Sequence, residues 1–417
     1  SRGLGDVYKR QESDITSLDI FLEKGMPYTE VTRSGNVDYV ITQFLSGVSI
    51  MTIDGFDECL LIDCRTYPMR SVSEPWKDRV LRGSRDGFVE TLVSNAALLR
   101  RRIRDPRFSM ELYGVGRRSR SDVAICYISD SVDQSVLNRM RKLIQSIDVD
   151  ALTMNIESLA ECMFTHKWIN PFPKFKYSER PDTATAAILD GNIVIMVDNS
   201  PAVMIIPASI FDIIEEADDF NFSPMIGSYL RITRFFFSIV TWILTPLWLL
   251  FVNNPDWVPE FMKFVLITDD ITVPVLLQLL ILELAVDGLK LAAVNTPTML
   301  STPLSIVAGI VVGEYAVSSG WFNPEALLYM AVVTVGTYGQ TNFEMGYAFK
   351  FLRVLTLILT QIFNLGGFIA GVVISVLMIA FNRTITGKSY IYPLIPWDGK
   401  MPVSYTHLRA HETRGNL

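Results

Sequence analysis

The sequence predicts an α/β or α+β soluble domain followed by an all-α, multi-span transmembrane domain. Charge supports this division: residues 230–396 hold only eight Lys or Arg and nine Asp or Glu, whereas the whole chain holds 37 and 44. Long apolar segments lie in the same charge-poor region, as expected for helices in a bilayer. We therefore predict a cytosolic domain over residues 12–228, built as one body or as two subdomains, and a transmembrane helical domain over residues 229–400.

The two ends of the chain do not fit this division. Residues 1–11 and 403–417 resemble translated sequencing adapter, and neither has a periodicity that continues into its neighbours. We expect both segments to be artefacts and leave them out of the functional argument. The natural product is then expected to be longer at both ends, with the cytosolic domain truncated on its N-terminal side.

Strands and helices mix in the soluble part without strict alternation. Two pairs of apolar runs, Val48–Ile53 with Cys59–Cys64 and Ile193–Val197 with Ala202–Ile206, flank the turns DGFDE and DNSP and predict hairpins. Asp86–Ile103 has apolar residues at helical spacing and an aspartate placed to cap it. Further helices or strands are predicted at Asn36–Leu45, Met110–Tyr113, Val123–Ile128, Asp133–Ile147 and Ile156–Phe164.

Four spans are predicted in the membrane part. Arg231 and Arg234 precede the first span and place its entry on the cytosolic side. The last span is long, and it is either one tilted helix or a pair broken at its central glycines. The four spans are Phe235–Val252, Leu304–Trp321, Ala326–Tyr338 and Phe351–Phe381.

An even number of spans returns the C-terminal part of the chain to the cytosol. Arg383 and Lys388 then lie on the same side as the arginines before the first span, as the positive-inside tendency favours. The same topology leaves Lys350 and Arg353 on the outer side, against that tendency.

A further apolar helix, Val275–Val294, is predicted to lie at the membrane interface or in a pore vestibule, because charged residues form a stripe along it. The stripe consists of Glu283, Asp287 and Lys290. In an oligomer, the two carboxylates would form a ring that attracts cations. Alternatively, the stripe would be satisfied by pairing at spacings of three and four residues and would face water. Both interpretations remain open.

Composition and motifs exclude several functional classes. A net charge of −7 is not that of a nucleic-acid-binding protein, and four cysteines without a CxxC pair predict reduced thiols. The motifs GxxxxGKS/T, GxGxxG, HExxH and GxSxG do not occur. Outside the excluded tail the only histidine is His166, for which a structural or surface role is expected. We therefore predict no catalytic residues, no metal and no cofactor, so that the protein is not an enzyme.

An arginine-rich stretch of the soluble domain has two interpretations. It would bind phosphate or anionic lipid, or it is a solvated helix end that forms salt bridges within the domain or between subunits. We favour the second. The arginines concerned are Arg100, Arg101, Arg102, Arg104, Arg107, Arg117, Arg118 and Arg120.

Glu314 is the strongest functional candidate. It is the only ionisable residue of Leu304–Trp321, whose 18 residues would span about 27 Å as a helix. A carboxylate in such a helix is costly in lipid and should face protein or water. Gly309 and Gly313 lie on one face and leave room for close helix approach or a passage, and Ser305 shares or flanks that side. We predict an ion pathway at these residues; the alternative is a structural hydrogen bond from Glu314 to a neighbouring helix.

Several long blocks resemble a known family. They are RVLRGSRDGFVETLVSNAALLRRRIRDPR (Arg79–Arg107), YSERPD (Tyr177–Asp182), LDGNIVIMVDNSP (Leu189–Pro201), NTPTMLSTPLSIVAGIVVGEYAV (Asn295–Val317) and YIYPLIPWDGK (Tyr390–Lys400). Together they resemble the GerA family of spore germination proteins. The resemblance implies an integral protein of the endospore inner membrane with a cytosolic N-terminal domain. It also implies oligomerisation into an ion-conducting channel that acts in germination, without catalytic residues.

We therefore predict an oligomeric ion channel, or a channel component, that releases ions across the spore inner membrane or cell membrane. Its expected partners are identical chains in a closed ring, other spore germination membrane proteins and the lipid bilayer, but no nucleic acid. One alternative is a secondary transporter with a midplane carboxylate, which would predict an internal repeat. Another is a membrane-anchored scaffold subunit of a germination complex, which would tolerate neutralisation of Glu314.

Overall fold

The computed structural model describes residues 31–63, 70–75, 77–164, 170–295, 309–387 and 389–392. The chain forms two compact units, which divide after Arg70.

The described residues of the first unit form a small sheet and one helix. Its elements are β1 (Val31–Ser34), α1 (Val37–Leu45), β2 (Ser49–Met51) and β3 (Cys59–Ile62). The sheet is antiparallel in the order β1-β3-β2, so β2 and β3 form the predicted hairpin. β1 pairs with the other edge of β3, although its polar sequence contains no strand signal. As predicted, α1 begins after Asn36, whose side chain accepts a hydrogen bond from the Tyr39 N–H.

The second unit begins with an α/β domain. Its elements are α2 (Leu92–Arg102), β4 (Phe108–Val115), β5 (Ser121–Ile128), α3 (Gln134–Gln145), α4 (Ile156–Met163), β6 (Lys176–Ser178), α5 (Pro181–Leu189), β7 (Ile193–Val197), β8 (Val203–Ile206), α6 (Ile210–Ile214) and α7 (Asp218–Asn221). The strands form one antiparallel sheet in the order β4-β5-β7-β8-β6. The hairpin predicted around DNSP is confirmed by the pairing of β7 with β8.

Helices cover both faces of this sheet. Ile125 on β5 packs in one core cluster with Leu137 of α3, whereas its neighbour Cys126 packs in the other with Leu99 of α2. Successive residues of a strand point to opposite faces, so a strand that is covered on both sides must be apolar throughout. This explains why residues 123–128 form an uninterrupted apolar run.

The helix α2 begins at Leu92, six residues later than the predicted start at Asp86. The segment before it is held in a non-helical path by Asn95, whose buried side chain exchanges hydrogen bonds of 2.8 and 2.6 Å with the backbone of Val89. Asp86 pairs with the other end of the helix rather than capping its start. The arginine-rich stretch thus forms ion pairs within the domain, as we favoured: Arg101 and Arg102 with Asp86, Arg107 with Asp105 and Asp130, and Arg117 with Asp148.

A helical bundle follows the α/β domain. Its elements are α8 (Pro224–Asn253), two 3-10 helices (Pro255–Trp257 and Glu260–Val265), α9 (Val275–Asn295), a π-helix (Gly309–Tyr315) with one α-helical turn (Ala316–Ser318), α10 (Pro324–Tyr338) and α11 (Phe343–Ala380). Among the described helices, α8 and α11 are long and apolar enough to cross a membrane by length and composition. The predicted helix Leu304–Trp321 is not regular, since its described part is π-helical and its last α-helical turn ends at Ser318.

The helix α11 is a pair of antiparallel helices joined at Asn364. This residue has φ 54° and ψ −130°, and a positive φ is better tolerated by asparagine than by most residues. A Cβ atom on Gly367 would lie 1.8 Å from the carbonyl oxygen of Leu359, and one on Gly371 would lie 2.8 Å from the side chain of Thr356. Residues after the break therefore fold back against those before it. The predicted alternative of a broken pair is confirmed, but the break precedes the glycines.

The bundle has two distinct ends. At the end that we call the domain side, Arg234 near the start of α8 pairs with Asp219 at 2.6 Å. Thr341, just before α11, donates to the carbonyl of Ile213 there at 3.0 Å. At the opposite end, the far side, the side chains of Asn254 and Asn364 exchange hydrogen bonds of 2.5 and 2.8 Å. Thus α8 and both halves of α11 run between the two sides.

The chain after α11 returns to the α/β domain. Lys174 Nζ donates to the side chain of Asn382 and, at 2.7 Å, to the carbonyl of Arg383. The Ile210 N–H donates to the carbonyl of Tyr390 at 3.0 Å. Burial lowers the pKa of Lys174 to about 8. Residues 382–387 and 389–390 therefore lie on the domain side, in agreement with the predicted return of the chain to the side on which the first span begins.

Candidate functional site

Two predicted site residues, Glu283 and Asp287, lie on α9 where this helix packs against α11. Arg353 Nε donates to Glu283 Oε1 at 2.5 Å. Lys350 pairs with Asp287, and its Nζ lies 3.5 Å from Glu283 Oε2. The carboxylates are therefore neutralised by cations from another helix of the same chain, rather than by pairing along α9.

This ion-pair cluster lies inside the bundle. Glu283 is 4 % exposed and Arg353 is 2 % exposed. Arg353 Nη1 also donates to the carbonyl of Thr241 in α8 at 2.5 Å, so that a single guanidinium connects α8, α9 and α11. A buried charge is tolerated only when it is paired and hydrogen-bonded, so these contacts fix the relative positions of the three helices.

A cavity of about 220 Å³ borders the cluster between α9, α10 and α11. Lys290 lines it, and its Nζ lies 5.2 Å from the ring centroid of Tyr338 and 5.6 Å from that of Tyr347. Within the described part of the chain, Lys290 forms no ion pair with a carboxylate. Met330 and Val333 of α10 add an apolar wall. The cavity thus combines a cationic side with an aromatic and aliphatic side.

A second cavity of about 290 Å³ lies beside the first, at the junction with the α/β domain. The two cavities share Lys77, Thr341 and Phe343 in their walls. Glu215 and Glu216 line the second cavity. Burial raises the pKa of both carboxyl groups, and neighbouring Lys and Arg side chains oppose this effect. Glu215 pairs with Arg231, and Glu216 pairs with Arg234, so ion pairs also line the second cavity.

Glu314 lies elsewhere, in the π-helix. It is exposed, and among the residues that the structure describes it forms no hydrogen bond or ion pair. A Cβ atom on Gly309 or Gly313 would meet nothing within 4 Å, so neither glycine is required here by a close contact within the described chain. Ser305 lies outside the described residues. The structure therefore places Glu314, Gly309 and Gly313 together on one short segment, apart from Glu283 and Asp287.

The position of Glu314 along the bundle, between the domain side and the far side, can be inferred from the packing of Ala316, two residues later in the chain. Ala316 packs against the cluster that contains Trp248 and Phe322, and Trp248 lies near the far end of α8. Glu314 is therefore in the half of the bundle remote from the α/β domain. π-Helical segments are rare and are often found at functional sites, which keeps Glu314 a candidate.

Sequence reasoning missed the partners of the carboxylates. Lys350 and Arg353 were assigned to the outer side, and the structure instead brings them into the bundle. Lys350 and Arg353 are three residues apart and Glu283 and Asp287 are four apart, so each pair lies on one face of its helix, which is the sequence signal that could have related the two helices. The described residues contain no group of three or more His, Cys, Asp or Glu that would hold a metal ion, and His166 is not among them.

Comparison with known sequences gives a consistent result. The family profile described as Bacillus/Clostridium GerA spore germination protein matches residues 4–414. The chain is 37% identical to stage V sporulation protein AF of Bacillus subtilis (strain 168), over 96% of this chain and 80% of that protein. It is 26% identical to spore germination protein GerLA of Bacillus cereus, over 93% of this chain and 79% of that protein.

One solved structure is similar to part of the chain. It is the N-terminal domain of the A subunit of the Bacillus megaterium spore germinant receptor GerK3, which is 32% identical and covers 28% of this chain and 93% of its own, with a TM-score of 0.23.

Proposed function

Because the chain belongs to the GerA family of spore germination proteins, we propose that it acts in germination as an oligomeric ion channel, or as a component of one, in the spore inner membrane. Identical chains would form a closed ring, with the α/β domain in the cytosol. Similar proteins are named as spore germination or sporulation proteins, which supports a role beside other germination membrane proteins.

The arrangement of the helices supports a membrane-spanning bundle. α8 runs from the domain side to the far side, and α9 and α10 both run from the far side to the domain side. The first half of α11 runs to the far side, and its second half runs to the domain side. In the proposed path, the connection from α9 to α10, which carries Glu314, would cross once more. This gives six crossings instead of the four predicted, with α9 as a span rather than an interfacial helix. Lys350 and Arg353 would then lie within the bundle, which removes their conflict with the positive-inside tendency.

The observation that carries the proposal is the environment of Glu314. It is an exposed carboxylate without a described partner, in an apolar segment that belongs to the membrane part of the chain. A carboxylate that faces lipid at the bilayer centre costs roughly 2.5–3.5 kcal/mol on insertion scales. Contact with water in a pore, or with a neighbouring copy of the chain, avoids this cost. A ring of identical chains would repeat the charge at one level and favour cations.

Glu283 and Asp287 are weaker candidates for ion passage. Each is ion-paired to a cation of the same chain, so the charge available to attract a mobile cation is largely cancelled. In the proposed channel, their role is to hold α9 against α11.

The test compares Glu314→Gln with the unaltered protein in liposomes. The substitution keeps the shape and removes the charge, so cation flux, or the preference for cations over anions, should fall several-fold while the oligomer persists. Glu260→Gln is the control, because Glu260 is an exposed carboxylate on the far side. Unchanged flux and selectivity in an intact Glu314→Gln oligomer would refute a role for Glu314 in conduction.

A further inference from the structure

We propose that the cavity between α9, α10 and α11 is a binding site for a small organic monocarboxylate. Its volume of about 220 Å³ is far above the roughly 10–15 Å³ that one water requires, and α9, α10 and α11 contribute most of its wall. The site makes no use of Glu314, and the proposal does not depend on ion conduction.

The charges of the cavity wall favour an anion. Arg353 and Lys350 are matched by Glu283 and Asp287, which leaves Lys290 between the helices and Lys77 at the boundary with the second cavity as further cations. Among the described residues no carboxylate pairs with the Lys290 ammonium, which instead faces two tyrosine rings. A carboxylate bound beside Lys290 would offset the charge of that ammonium.

The remaining wall suits an apolar or aromatic body. Tyr338 and Tyr347 present rings, and Met330 and Val333 present aliphatic surface. Small-molecule sites are commonly built in this way, with apolar walls and a few polar groups that fix the orientation. Gln340 also lines the cavity and is a polar side chain of this kind.

Binding is tested on the full chain in detergent by ligand-observed fluorine NMR with 4-fluorobenzoate. The uncharged analogue 4-fluorobenzamide has nearly the same shape and serves as the matched probe. We expect 4-fluorobenzoate to bind at least about tenfold more tightly, because a hydrogen bond to a charged group is worth this much or more. Absence of 4-fluorobenzoate binding, or equal binding of the two probes, would overturn the proposal.

Variants then locate the site. Lys290→Met removes the charge but keeps the side-chain length, and it should weaken 4-fluorobenzoate binding by about tenfold or more. Lys290→Arg should restore binding. Lys263→Met is the control, because Lys263 is an exposed lysine on the far side. Binding that is unaffected by Lys290→Met, or equally weakened by Lys263→Met, would contradict the assignment.

A second measurement covers the case in which Lys290→Met does not fold. Photolabelling of the unaltered protein with 4-azidobenzoate, followed by peptide mass spectrometry, should mark residues 283–290 and 330–353, and excess 4-fluorobenzoate should protect them. Labels confined to other parts of the chain would exclude this cavity as the site.

Discussion

At the scale of single residues, the buried pair of Glu283 and Arg353 has the largest expected effect on stability. Loss of one partner leaves the other charged and buried, which typically costs about 3–5 kcal/mol. We expect Glu283→Ala to lower the thermal unfolding temperature in detergent strongly. Glu260→Ala, which removes an exposed carboxylate with 93% of its side chain accessible, should have almost no effect.

A double variant separates two effects on stability. One is the loss of the attraction between Glu283 and Arg353, and the other is the cost of leaving Arg353 charged and buried without its partner. Replacement of both residues by apolar side chains of similar size, Glu283→Leu with Arg353→Met, removes both buried charges together. It should be clearly more stable than Glu283→Ala. If Glu283→Ala is as stable as Glu260→Ala, the ion pair does not hold the bundle together.

Single residues also show where sequence reasoning succeeds and where it stops. Glu283 and Asp287 stand out as carboxylates in an apolar helix, for which the sequence left open a ring that attracts cations or pairing along the helix. The structure instead pairs them with α11. Their partners, Lys350 and Arg353, lie more than sixty residues away in the sequence. No local spacing identifies such a contact, because it depends on how two helices dock.

At the scale of secondary-structure elements, the hairpin of α11 depends on Gly367. A Cβ atom there would lie 1.8 Å from the carbonyl oxygen of Leu359, and a backbone atom cannot move aside as a flexible side chain can. We expect Gly367→Ala to destabilise the protein by at least about 1–3 kcal/mol, as overpacking in a tight interface usually does. Gly366→Ala is the matched control, because a Cβ atom on Gly366 would meet nothing within 4 Å.

The measurement is the yield of monodisperse protein and its thermal unfolding temperature in one detergent. Gly367→Ala should lower both, whereas Gly366→Ala should lower neither. Equal behaviour of the two variants would mean that the two halves of α11 do not pack as closely as described.

Elements with a local signal were well predicted. The two hairpins and the helix that begins after Asp133 follow from turn residues, apolar spacing and a capping side chain. The start of α2 was placed too early, because Asn95 satisfies the backbone of Val89 in a way that spacing does not reveal. The break at Asn364 has a weak local signal, since asparagine tolerates a positive φ, but three nearby glycines concealed it.

At the scale of the whole molecule, the order of a soluble part and a helical part follows from charge distribution alone. The path of the chain through the helical part does not follow from the charge distribution. α9 is apolar but carries charges, and for this reason the sequence favoured a position at the membrane interface. Contacts with α11 neutralise those charges within the chain. The number of crossings therefore depends on tertiary ion pairs, and a test of topology must probe both ends of the bundle.

The proposed path predicts that Arg383 and the α/β domain face one compartment and that the loop after α8 faces the other. Asn382 is held by Asn170 at 2.8 Å and also accepts from Lys174, so its neighbour Arg383 must lie on the domain side. In protein with the native cysteines replaced by serine, single cysteines at Arg383 and Asp148 should react equally with an impermeant maleimide on sealed vesicles. A cysteine at Glu260 should show the opposite accessibility on the sealed vesicles, and all three cysteines should react once the vesicles are opened. Matching accessibility at Arg383 and Glu260, with Asp148 opposite, would require an odd number of crossings and would exclude the six-helix path.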